Sequence, residues 1–100
     1  MRIYKYEMTD VWETNRLMMK RGAKPLLVKV QHGVPCMWAV VDPEEDDVEH
    51  DVHIVGTGHL FSFTGFKYVD TFFDADDSLV WHVFIGSGYG STGGATTDEI

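Results

Sequence analysis

Gly56-Thr57-Gly58-His59 is the most site-like step in this chain of 100 residues. Two glycines allow backbone conformations closed to other residues, so the step reads as a bulge or tight turn whose amides point into a shared space. Thr57, His59 and the amides of Gly56 and Gly58 would then offer polar contacts to a ligand, in a pocket walled by Trp38, Phe61 or Trp81. The bland alternative is a β-bulge in which His59 bonds a backbone carbonyl. Gly56-Thr57-Gly58 is no dinucleotide fingerprint, because that motif needs a third glycine and a helix behind it. As a general base, His59 would need a nucleophile or water and an orienting carboxylate, with Asp70 or Asp42 the partners to consider. The sequence identifies no catalytic set.

Other reactive residue types carry less. His50 and His53 stand three apart, a spacing that points to opposite faces of a strand, and no Cys or carboxylate lies at a zinc spacing, so no metal is expected. Cys36, between Pro35 and Met37-Trp38, reads as a small buried thiol. Residues 44–51 hold six carboxylates in eight positions, yet lack the glycine a calcium loop needs, and read as a solvated loop.

These residues must be positioned by strands. Leu26, Val28 and Val30 alternate with Leu27, Lys29 and Gln31, the period of a half-buried strand. After the turn at Gln31–Pro35, residues 36–41 are apolar throughout, as a central strand covered on both faces requires, and a short turn pairs the two as a hairpin. Asp42-Pro43 stops that strand. Further strands are expected at 2–6, 52–55, 66–73 and 79–85, the last two joined through Asp74–Ser78. Residues 11–20 fit either a short helix capped by Asp10 or a strand from about Thr14 to Met19; the turn at Arg21–Pro25 and the strand-rich context favour the strand. The whole describes an all-β, compact antiparallel β-sandwich or half-open barrel of six or seven strands. Residues 1–86 form one domain, and 87–100, rich in Gly, Ser and Thr, form a flexible tail.

Composition bounds the function. A 44% apolar chain supports one core without staples. No stretch is long and apolar enough to span a membrane, and the N-terminus lacks a signal peptide's apolar middle, so a soluble protein of the cytoplasm is expected. The net charge of −8 argues against general nucleic-acid binding. It is unevenly spread: residues 1–30 carry seven of the eight basic side chains and sum to +4, while residues 31–100 sum to −12. A basic patch able to hold a small anion is therefore expected on one face. The ten aromatics Trp12, Trp38, Phe61, Phe63, Phe66, Tyr68, Phe72, Phe73, Trp81 and Phe84 exceed what a small sandwich buries, which points to a self-association or partner surface.

Gly33–Pro43, Gly56–His59, Phe66–Phe72 and Val80–Phe84, with the opening Ile3-Tyr4-Lys5-Tyr6, resemble a family of small phage and prophage proteins of unknown function. The resemblance spans residues 2 to about 85 and departs at Leu60, where proline is usual, and in the longer tail. It implies a viral or prophage origin, the host cytoplasm as location and a β-rich fold, with no activity attached.

Three function classes follow. The first is a non-enzymatic, self-associating accessory protein that binds a small anionic, nucleotide-derived ligand or host signal and counters host defence; it uses no cofactor. The second is an acidic inhibitor or nucleic-acid mimic that docks on a host enzyme through residues 42–51 and 74–77. The third is a small hydrolase built on His59.

Overall fold

A computed structural model describes residues 1–8, 14–62, 64–74 and 78–86, except the side chain of Thr14. Within them lie seven strands: β1 (Arg2–Glu7), β2 (Thr14–Lys20), β3 (Lys24–Gln31), β4 (Val34–Val41), β5 (Asp47–Gly56), β6 (Phe66–Phe73) and β7 (Val80–Gly86). They form two antiparallel sheets, one ordered β1-β4-β3 and one ordered β2-β5-β7-β6. The fold is an all-β two-sheet sandwich rather than a closed barrel, and 14–20 is strand where a helix was the competing expectation. Trp12, Phe63, most of the 74–77 turn and the expected flexible tail lie outside the described residues.

Alternation decides the layers. Met37 on β4, Val28 on β3, Met19 on β2, Val52 and Ile54 on β5, Phe72 on β6, and Trp81, Val83 and Ile85 on β7 point inward and form the core with Met8. β4 is central in its sheet, as its apolar run requires. The β3–β4 hairpin turns at His32 (φ 54°) and Gly33 (φ 81°), the two positive values a type I′ turn demands.

Three expectations are corrected. The acidic run is not all loop: β5 begins at Asp47, so only residues 42–46 connect strands. The β2 strand beside it supplies the reason, because Arg16–Asp51 (3.5 Å), Lys20–Asp47 (3.2 Å) and Arg21–Glu45 (4.0 Å) pair three of the six carboxylates. The alternation of Leu26 with Val28 also fails. A register shift between Pro25 and Leu27 inserts Leu26 as an extra residue, and it is exposed. Leu79, expected to open the last strand, precedes β7 and is exposed as well.

The sheets meet where the edge strands β3 and β6 approach. A second shift, between Tyr68 and Asp70, bulges Val69 and re-aims the Asp70 carboxylate. Its Oδ2 accepts from the buried Val28 N–H (2.8 Å) and its Oδ1 from Thr71 N–H (2.8 Å).

Candidate functional site

β5 ends at Gly56, and residues 56–59 close a β-turn in which His59 N–H donates to Gly56 C=O (3.0 Å). Gly58 sits third in the turn at φ 90°, a left-handed value open to glycine. Thr57 N–H donates to Val80 C=O (3.3 Å). The amides of Thr57 and His59 are thus engaged within the chain and are not offered to a ligand.

The turn sends its side chains to different places. The His59 ring folds back over Gly56 and meets the edge of Trp81, with ring centres 6.3 Å apart. A Cβ on Gly56 would lie 2.9 Å from His59 Cε1 and 3.1 Å from Trp81 Cζ3, which is why this position has no side chain. Thr57 turns to the outer face of the four-stranded sheet, where its Oγ1 lies 2.7 Å from His82 Nε2. Phe61 joins that outer face too, 4.5 Å from Phe84 and 5.8 Å from His53 between ring centres. Trp38 belongs to β4, in the other sheet, one residue on from the inward Met37 and hence on that sheet's outer face. The six residues expected to share one pocket therefore split three ways: Gly56, Gly58 and His59 at the rim with Trp81, Thr57 and Phe61 on one outer face, Trp38 on the other. A spacing of two along an irregular turn does not carry a strand's same-face rule.

The Thr57 face holds the densest constellation. Across β5, β7 and β6 a chain of bonds runs from Thr57 to His82, from His82 Nδ1 to Thr71 Oγ1 (3.1 Å), and from Thr71 to the Tyr68 hydroxyl (2.8 Å). Beside it, His53 packs on Phe66 with ring centres 4.3 Å apart, and Tyr68 meets Phe84 edge-on at 5.8 Å. His53 and His82 lie on this sheet face, as expected, whereas His50 is inward and 4% exposed, its Nδ1 3.0 Å from Val48 C=O. Burial pushes both His50 and His53 below the usual imidazole value, against the pull of backbone bonds at His50 and of Asp51 at His53. The role of His82 was missed because its partners come from the turn after β5 and from β6, and only the pairing of distant strands brings them into line.

As chemistry, Thr57–His82 has the contact of a hydroxyl with its base, but the ring's other nitrogen meets a threonine. Among the described residues, the ring's bonds go to hydroxyls, and no carboxylate is bonded to it to steady an imidazolium. Hydroxyls donate and accept, so the chain fits a neutral or charged ring and serves recognition readily. For His59, neither proposed carboxylate is at hand. Asp70 is committed to two amides, and Asp42 accepts from Glu44 N–H (3.0 Å) at the end of β4. Among the described residues no three His, Cys, Asp or Glu side chains are placed to share a metal ion. Among them, too, no helix is long and apolar enough to cross a membrane.

Comparison with known proteins adds one identification. No curated protein and no solved structure matches this chain. The profile of Domain of unknown function (DUF7352) matches residues 1–91, which takes in every strand from the β1 edge to β7. The chain accordingly belongs to the DUF7352 family, whose sequence pattern is here written on a seven-stranded sandwich with an aromatic and histidine-bearing outer face.

Proposed function

We propose that this protein is a non-catalytic binding protein that self-associates and holds a small nucleotide-derived anion or host signal. The resemblance of its strand motifs to phage and prophage proteins supports an accessory role inside an infected host cell, directed against host defence.

One observation carries the reading: rings gather on a sheet face that, among the described residues, no second layer covers. Tyr68 is 56% exposed and Phe73 54% exposed there, beside the Phe61, Phe66 and Phe84 cluster. A monomeric sandwich gains nothing from this, whereas a second copy placed across it removes apolar surface from water. The polar Thr57–His82–Thr71 chain within the patch gives the contact a register. The acidic-inhibitor reading draws less support, since Arg16, Lys20 and Arg21 pair half of the acidic run.

Sedimentation velocity tests the association. The expected result is a dimer or larger species that Tyr68→Lys with Phe73→Lys converts to monomer, the circular dichroism spectrum staying unchanged; a monomeric wild-type protein at high concentration rejects it. Calorimetry against a panel of linear and cyclic nucleotides tests the ligand, and no heat from any of them rejects that part.

A further inference from the structure

We infer that the outer face of the three-stranded sheet is a binding site for a nucleoside phosphate, with Trp38 stacking on the base and Lys24 and Lys29 neutralising the phosphate. This deepens the ligand-binding role proposed above and rests on it, but it moves the ligand from the His59 rim to the opposite sheet.

The placement follows from register. Trp38 pairs with Lys5 on one side and Leu27 on the other, so all three stand on the face away from the core. Lys29 is opposite Cys36 and Lys24 opposite Val40, the positions two before and two after Trp38 on the same face. Directly paired side chains start about 5 Å apart and diagonal ones about 7–8 Å, within reach of a lysine. The ring is thus bracketed by cations along β3, and Trp38 itself is only half-buried.

Lys5 is held in place. Its Nζ donates to Gln31 Oε1 (2.8 Å), and because β1 and β3 flank β4, that bond crosses above Cys36. The crossing explains why Cys36, on an outer face, is 1% exposed.

Charge decides the occupant. Of the seven basic side chains in the first thirty residues, Arg16, Lys20 and Arg21 on and after β2 pair with the acidic run, Lys5, Lys24 and Lys29 collect around Trp38, and Arg2, opposite Val41, joins neither group. Lys24 and Lys29 are exposed and make no ion pair among the described residues. Register puts only Glu7 on this face as a counter-charge among those residues. In a chain of net charge −8, a local cationic surface around an indole matches a flat ring that carries negative charge.

The test titrates ADP into the full chain, followed by tryptophan fluorescence and calorimetry, with adenosine and inorganic phosphate as separate arms. ADP is expected to bind saturably and adenosine and phosphate each at least about ten-fold more weakly, because each lacks one half of the contact. Lys24→Gln with Lys29→Gln is expected to weaken ADP by about ten-fold or more while circular dichroism stays unchanged, and added salt to weaken it further. Trp38→Ala removes the stacking ring, and is expected to weaken ADP by about ten-fold or more and to abolish the fluorescence change while circular dichroism stays unchanged. ADP binding of unchanged affinity in the double lysine variant overturns this site while leaving the ligand-binding role intact. No saturable ADP binding by the folded wild-type protein overturns the site outright, whatever its state of association.

Discussion

Gly56 and His50 show how single side chains are constrained by what faces them. The His59 ring is exposed and can swing away, but Trp81 is buried and cannot, so Gly56→Ala forces a shift in the core edge. The expected cost is about 1–3 kcal/mol, the range for overpacking, read from urea denaturation. His50 is held neutral by burial, as is His53, so both imidazoles carry folded pKa values below 6.5. The unfolded chain then binds more protons just below that value, and the stability these residues contribute is full above pH 6.5 and lost as pH falls through the folded values. Urea midpoints measured from pH 8 down to pH 5 should fall. His50→Leu should make that fall shallower, and an unchanged slope would remove His50 from the account.

Strands β3 and β6 depend on one carboxylate. Asp70 reaches the buried Val28 amide only because Val69 is bulged, and no backbone ladder joins these two edges. Asp70→Ala leaves that N–H without its acceptor and is expected to cost about 1–3 kcal/mol. Asp70→Asn keeps one side-chain oxygen and should cost less. Amide hydrogen exchange at Val28 reads the same event locally: faster exchange in the alanine variant is the expected outcome, and equal protection would show that the clasp contributes nothing.

Two thin sheets share a single core, so stability is concentrated in few residues. Met37 lies on the central strand of one sheet and shares one buried cluster with Val83 and Trp81 of the other. Met37→Ala is expected to cost about 2–5 kcal/mol, a large share of what a domain of this size possesses. Loss of the cooperative thermal transition, or a fall of its midpoint by more than any surface variant produces, is the measurement. The ion pairs along β2 reach solvent, through Arg16, Asp51 and Asp47, and should matter far less, about 0–1 kcal/mol each.

The period-2 patterning, the proline after Asp42 and the apolar run 36–41 were enough to read an all-β sandwich or half-open barrel, its central strand and both hairpins, because burial on one face leaves its imprint on alternate residues; that it is a two-sheet sandwich is decided by strand pairing. The opposed faces of His50 and His53 were legible for the same reason, whereas Cys36 is buried on an outer face, beneath the Lys5–Gln31 bond. Extra residues broke the rule. The bulges at Leu26 and Val69 shift side chains between faces, and a bulge is visible only once a partner strand shows which residue lacks a mate. The separation of Trp38 from His59, and the line from Thr57 through His82 to Thr71, likewise rest on which strands are neighbours. Local sequence carries the alternation of a strand; which strand lies beside it, and so which chemical groups meet, is decided by the packing of distant segments.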